Sequence, residues 1–139
     1  GGNLRLQNVK GTVHATTSGG DIDGDEIAGD LRTSTSGGSI HLDDMRCSLN
    51  ASTSGGNIDV TMKSMGKFLE LENSGGSIHL SVPSGQGYNL AISGDRVHTD
   101  KLSNFSGKMD EHSIEGTLNG GGIPIKVRGS SGHVTLSFQ

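Results

Sequence analysis

Three aspartates near the start of the chain have the residue type and spacing of a cation site. Asp21, Asp23 and Asp25 stand at alternate positions. Carboxylate oxygens are the ligands that Ca²⁺ prefers, so this run resembles the opening of an EF-hand loop. The glycine, however, stands at the fourth position of the run instead of the sixth, and Arg32 occupies the place of the closing glutamate. Asp21, Asp23 and Asp25 are therefore a calcium candidate, with a solvated acidic edge as the alternative.

A second set of chemically capable residues recurs at wide, regular intervals. Aspartate and histidine alternate in this set, which consists of Asp23, His41, Asp59 and His79. Imidazole and carboxylate groups are suitable ligands for zinc or copper. They also pair as opposite charges between neighbouring strands and so help to define strand register. We expect a charge ladder of this kind and no bound metal.

Catalytic chemistry finds little support in the residue types. Cys47 is the only cysteine, which excludes an internal disulfide, and it occupies a column that Gly11 and Gly29 hold elsewhere. This position predicts a small, buried packing residue without catalytic reactivity. Glycoside-cleaving enzymes need paired carboxylates, and carbohydrate grooves use aromatic platforms, yet the chain has no Trp and Tyr88 is its one tyrosine. We expect no enzymatic activity and no cofactor.

Composition excludes further classes of protein. The net charge is −4, which argues against a nucleic-acid partner. The sequence contains neither an apolar run long enough to span a membrane nor a signal-peptide pattern. With 24 glycines and 3% aromatic residues, the core must consist of small and aliphatic side chains. Such a core favours a fold that is stabilised by repeated stacking.

The elements that must position these side chains follow an 18-residue spacing. Gly-Gly pairs begin at residues 1, 19, 37 and 55, and a further pair begins at residue 75. Around them the sequence reads TSGGDID, TSGGSIH, TSGGNID and NSGGSIH. Apolar or small residues alternate with polar ones on both sides of each pair, which is typical of β-strands. The alternation changes phase at each Gly-Gly pair, which predicts a corner there.

These patterns predict an all-β fold of stacked coils. The expected architecture is a single-stranded right-handed parallel β-helix (β-solenoid) with about 18 residues per coil and roughly seven rungs. Stacking predicts two inward ladders, Ile22–Ile40–Ile58–Ile78 and Val13–Leu31–Leu49–Leu69. It also places Asp23, His41, Asp59 and His79 side by side on the outer face, and we call these four residues the outer ladder. A second corner is predicted at Asp43–Asp44.

The chain is predicted to form one domain over residues 1–139. Regular coils cover residues 1–82, a loop insertion covers 99–113, and a closing rung covers 114–139. Leu102 and Phe105 are expected to anchor the loop, and Pro124 predicts an edge or terminal strand because proline lacks the N–H donor. The sequence starts in the middle of a coil, which predicts a piece of a longer solenoid.

Several segments together resemble a known family. The repeated TSGGxIx units, the segment VPSGQGYNL and the closing IEGTLNGGGIPIKVRGSSGHVTL are similar to a bacterial adhesin-like domain family of unknown function, related to the head GIN domain. The similarity covers essentially the whole chain. It implies a right-handed β-helix-like fold in exported bacterial proteins, at the cell surface, outside the cell or in the periplasm. The family supplies no catalytic residues, so none is transferred to this chain.

The sequence thus predicts a non-enzymatic interaction module of the bacterial cell surface. Its partner would be a surface glycan or protein, bound by multivalent display of repeated outer residues. The candidate ligand-binding residues are Asp23, His41, Asp59, His79 and Phe105. One alternative is a structural solenoid that associates end to end through open sheet edges. A second alternative is a carbohydrate-active enzyme.

Overall fold

The protein folds as an all-β, β-solenoid-like domain. A computed structural model describes residues 2–83, 86–100, 104–130 and 132–138. These residues contain no helix, and therefore none that could span a membrane. The predicted fold class is confirmed at this level. One sheet contains the strands β1 (Leu4–Thr17), β2 (Ile22–Thr35), β3 (Ile40–Thr53), β4 (Ile58–Asn73), β5 (Ile78–Val82), β6 (Tyr88–Ser93), β7 (Arg96–Thr99), β8 (Phe105–Met109), β9 (Ser113–Leu118), β10 (Ile123–Gly129) and β11 (His133–Phe138).

The strands β1 to β4 pair in parallel with their sequence neighbours. The register pairs that join β1 to β2 and β2 to β3 all connect residues 18 apart, with an interruption at the second corner. Both predicted inward ladders are confirmed, since Ile22, Ile40, Ile58 and Ile78 are successive partners, as are Val13, Leu31, Leu49 and Leu69. The register shifts between β3 and β4, where β4 is two residues longer.

Burial follows these ladders. Ile22, Ile40 and Leu49 are fully buried, and Leu31 is 1% exposed. A fully buried Leu or Ile side chain contributes about 1.5–3 kcal/mol relative to an exposed one. A single coil cannot bury its own apolar side chains, so this stabilisation arises from packing against the coils above and below it.

The TSGG motif forms the corner between successive strands. The hydroxyl of Thr53 donates to the carbonyl of Gly38 at 2.8 Å and accepts from the N–H of Gly56 at 3.4 Å. Thr35 makes the same pair of bonds to Gly20 and Gly38. The second glycine has no room for a side chain, because a Cβ on Gly38 would overlap the carbonyl oxygen of Gly20. The motif recurs because each corner stacks directly on the preceding one.

The sheet forks at β4. The first part of β4 pairs with β5 and its last part pairs with β10. One branch then continues β5–β11–β7, and the other continues β10–β6–β9–β8. The last two strands of the sequence therefore lie between strands that precede them, β11 between β5 and β7 and β10 between β4 and β6. The sequence predicted a closing rung over residues 114–139. Residues 123–138 instead lie inside the stack, between strands that precede them in the chain.

Pro124 illustrates this difference. It lies in β10, which has strand neighbours on both sides, so the predicted edge position is wrong. Its register partner is Asn89 on β6, whereas pairing with β4 begins only at Ile125. Pro124 lacks an N–H donor, but because it does not pair with β4, no hydrogen bond to β4 is lost.

The predicted loop over residues 99–113 contains a strand. β8 forms an antiparallel hairpin with β9, and β9 pairs antiparallel with β6, so the sheet is not parallel throughout. The connection over 110–112 is too short for a parallel crossover. Asp110 Oδ1 accepts hydrogen bonds from the N–H groups of His112 at 2.7 Å and Ser113 at 2.9 Å, and these bonds lower the pKa of Asp110.

Of the two predicted loop anchors, Phe105 packs against the core, as predicted. Leu102 lies outside the described residues.

Candidate functional site

The outer ladder is assembled as the spacing predicted. Asp23 pairs with His41, His41 with Asp59, and Asp59 with His79. His41 Nδ1 lies 3.5 Å from Asp59 Oδ2, and its Nε2 lies 3.1 Å from Asp43 Oδ2. About half of each of these side chains is exposed. Because these side chains are exposed, they are accessible to a partner, and exposed contacts of this kind contribute only about 0–1 kcal/mol to stability.

The structure lengthens this ladder beyond the sequence prediction. His79 pairs with Thr135 of β11, and Thr135 pairs with His98 of β7. At the other end Arg5 pairs with Asp23. The 18-residue spacing is compatible with Arg5, but it could not reveal Thr135 and His98, because β11 is inserted between β5 and β7. The sequence contains one signal for the position of β11, which is the corner glycine before it, Gly132. Gly132 stacks on Gly76 in the same way as the second glycines of the TSGG corners stack on one another.

The calcium candidate is divided between two structural roles. Asp21 Oδ1 accepts the N–H of Ser39 at 2.8 Å, one coil further on, and the N–H of Asp21 donates to Asn3 Oδ1 at 2.9 Å. Asp21 is therefore part of a corner hydrogen-bond column, whereas Asp23 and Asp25 lie on the strand that follows. Across the described ranges, no group of three or more His, Cys, Asp or Glu side chains is placed to hold a metal ion.

Cys47 has the environment of a packing residue. It is 1% exposed and is the register partner of Gly29. Burial raises the pKa of the thiol to about 11, and the negative charge of Asp30 adds to this effect. The thiol is thus protonated at neutral pH, whereas a cysteine nucleophile must be a thiolate. The prediction of a small, buried residue is confirmed.

Phe105 does not join the outer ladder. It pairs with Leu118 of β9, in the branch of the sheet that contains β10 and β6. The outer ladder runs along the other branch, through β5, β11 and β7. The structure therefore brings Asp23, His41, Asp59 and His79 together and leaves Phe105 in a separate place, half-buried against the core.

A groove that the sequence prediction missed lies at the second corner of the first coils. The predicted corner at Asp43–Asp44 is confirmed, since Asp44 has φ +53°, as do its equivalents Asn8 (+54°) and Glu26 (+53°). These residues border a groove of about 300 Å³, which we call the corner groove. The remaining residues that line it are Lys10, Ile27, Ala28, Arg46 and Lys63.

Comparison with known proteins identifies a family and nothing more specific. The model of the Toastrack DUF4097 family matches residues 1–137. No curated protein matches the chain significantly, and no solved structure does.

Proposed function

Because this chain belongs to the Toastrack DUF4097 family, a membership that carries no reaction or ligand with it, we propose a function from its surface chemistry. The protein is a non-enzymatic, adhesin-like interaction module that binds a surface glycan or protein through the outer ladder. The observation that carries this proposal is the exposed His41, which lies between Asp43 and Asp59 in a continuous column of alternating imidazole and carboxylate groups.

The ladder is suited to a partner with its own repeat. Parallel strands lie about 4.8 Å apart, so Asp23, His41, Asp59 and His79 present four polar groups in a straight line. A partner that contacts several of them gains affinity by multivalency, because each contact after the first is intramolecular.

The geometry gives no comparable support to an enzyme. Cys47 is buried and protonated, and the carboxylates of the outer ladder are half exposed on a strand face. General acid and base groups act best in enclosed sites that shift their pKa values. For this reason we place the chain among binding modules, and, with the bacterial resemblance, at the cell surface or in another exported location.

We also interpret the stack as a right-handed parallel β-helix of seven rungs. Its support is the column β1–β2–β3–β4–β5–β11–β7, in which each described strand pairs with the next in parallel. Right-handed winding follows from the strong preference of parallel crossover connections.

End-to-end assembly is less well supported than partner binding. Among the described residues β1 pairs only with β2, and its Leu4, Leu6 and Val13 are only partly buried, so its other edge is open. The charged outward residues of β1 are Arg5 and Lys10, however, and residues 2–17 contain no acid. The strand at the other end of this column, β7, contains Arg96, so stacking of β1 on either β1 or β7 of a second copy would bring cations together, which is a common protection against edge pairing.

The test is binding of the purified domain to glycan and matrix-protein arrays at pH 6 and pH 7.5, with and without calcium. We expect a hit that weakens at least about 10-fold when all four ladder residues become serine, as for a lost multivalent contact. The matched control replaces four successive register partners in the column that leads into the other branch, Arg32, Asn50, Glu70 and Lys126, by serine. Equal binding by the two quadruple variants would exclude the outer ladder as the binding surface.

A further inference from the structure

The corner groove is built by a change of side-chain size within one column. Lys10, Ala28 and Arg46 are successive register partners on β1, β2 and β3. Two long cationic side chains therefore flank a single methyl group. The backbone positions of Lys10 and Arg46 are two strand spacings, about 10 Å, apart, because neighbouring strands lie about 4.8 Å apart. The floor between them is formed by Ala28, which is partly exposed, while Ile27 beside it is fully buried and offers no surface of its own.

The charges around the groove are not mutually neutralised. Lys63 Nζ lies 3.5 Å from Asp44 Oδ1, which places an ion pair at one end. Within the described ranges neither Lys10 nor Arg46 takes part in an ion pair. Both are exposed, and both line the groove, so two cations are available to the same ligand.

The groove also offers acceptors for hydroxyl groups. Glu26 and Asn8 lie on its border at the positive-φ corner. A purely anionic partner, such as an acidic peptide, would use the cations but would leave Glu26 and Asn8 without hydroxyl groups to accept from. A sugar acid has a carboxylate for the cations, hydroxyl groups for Glu26 and Asn8, and C–H faces for an apolar floor. The volume of about 300 Å³ is at the lower end for small-ligand sites and suits one or two rings.

We propose that the corner groove binds a carboxylated sugar unit of an acidic polysaccharide. The carboxylate lies between Lys10 and Arg46, where the Arg46 guanidinium is suited to bidentate hydrogen bonding. The ring packs on the Ala28 methyl group, and its hydroxyls donate to Glu26. This site shares no residue with the outer ladder, and it rests on the proposed function only in treating the chain as a binding module.

The test uses oligogalacturonate as the probe and a neutral galacto-oligosaccharide of equal length as its counterpart. Binding is followed by titration calorimetry and by ¹⁵N chemical shifts of the whole chain. We expect oligogalacturonate to bind with shifts around Ala28, and the double variant Lys10→Ser/Arg46→Ser to weaken binding at least 10-fold. The variant Ala28→Leu keeps both cations but fills the floor, and it should weaken binding as strongly.

Two controls make the outcome decisive. The pair Lys126→Ser/Arg128→Ser removes two exposed cations from a different groove, beside Glu70 and Glu72, and should leave binding unchanged. The quadruple outer-ladder variant should also bind oligogalacturonate normally, so a failure of the ladder proposal is distinguishable from a failure of this one. Absence of binding, equal binding of the neutral sugar, equal loss in both cation pairs, or equally tight binding of an oligoglutamate peptide would each overturn the proposal.

Discussion

The strands β1 to β4 and the strands after β5 use the same corners and ladders but find their neighbours differently. In the first region Val13 lies beside Leu31, its equivalent one coil later. In the second region Ile125 lies between Leu69 and Leu90, which belong to strands far earlier in the chain. All of these residues except Val13 are buried to within 2% of their surface. Equal packing is thus reached with local pairing in one region and distant pairing in the other.

The corner glycines show what the two regions share. A Cβ on Gly38 would overlap the carbonyl of Gly20, and a Cβ on Gly132 would overlap the carbonyl of Gly76. Gly132 belongs to the inserted segment, yet it stacks on an earlier corner as Gly38 does. The stacking chemistry is therefore independent of the order in which the chain supplies the coils.

The largest expected effect tests this equivalence directly. Gly38→Ala and Gly132→Ala should each destabilise the fold by about 3 kcal/mol, because backbone on both sides must move. Gly37→Ala is the matched control, since a Cβ there meets nothing within 4 Å. Urea unfolding followed by circular dichroism measures all three. If Gly132→Ala proved as mild as Gly37→Ala, the stacking of the inserted corner on β5's corner would be refuted.

A smaller effect concerns the corner hydroxyls of the first region. Thr53→Val leaves the buried carbonyl of Gly38 and the N–H of Gly56 without their hydroxyl partner, which should cost about 2 kcal/mol. Thr33→Val makes the same change at a buried hydroxyl that has no hydrogen-bond partner among the described residues, so it should be neutral or stabilising. The two midpoints in urea must therefore shift differently, and a common shift would contradict the role of the corner hydroxyl.

The junction between the two regions should respond to charge. Lys126 faces Glu70 and Arg128 faces Glu72 across β10 and β4. Reversing both cations to glutamate should cost about 1 kcal/mol, because like charges then stand opposite each other. Adding Glu70→Lys and Glu72→Lys should restore most of the loss. A double-mutant cycle in thermal unfolding, repeated in 1 M salt, measures the coupling energy between the cations and the glutamates. A coupling energy of zero would argue against this register.

The smallest effect is confined to Cys47, in the first region. Its thiol has a pKa of about 11 in the fold against 9.0 ordinarily, so the unfolded chain loses its proton first as the pH rises. The stability that this group contributes is therefore present below pH 9 and declines above it, by less than about 1 kcal/mol at pH 9.5. Cys47→Ala should flatten the profile of unfolding free energy between pH 8 and 9.5. An unchanged slope would mean that the thiol is not the group responsible.

The two regions also differ in how far sequence reasoning reaches. The ladder through Leu31 and Leu49 and the outer ladder through His41 follow from one spacing, because each coil must stack on the next to bury its apolar face. The position of β10 does not follow, since the alternation around Ile125 would fit any rung equally well. His98 was missed as a ladder member for the same reason. The corner groove was missed because Lys10, Ala28 and Arg46 share a column without sharing a residue type.

The insertion of β10 and β11 has a consequence for biosynthesis. As the chain leaves the ribosome, β1 to β5 are able to stack in order, each on a completed neighbour. β6 and β7 emerge next, but their parallel partners, β10 and β11, are the last two strands in the sequence. Pairings of such high contact order form slowly, and unpaired edges are prone to misassembly meanwhile. Vectorial synthesis thus favours the first region, while the second must await β10 and β11 before its pairing is complete.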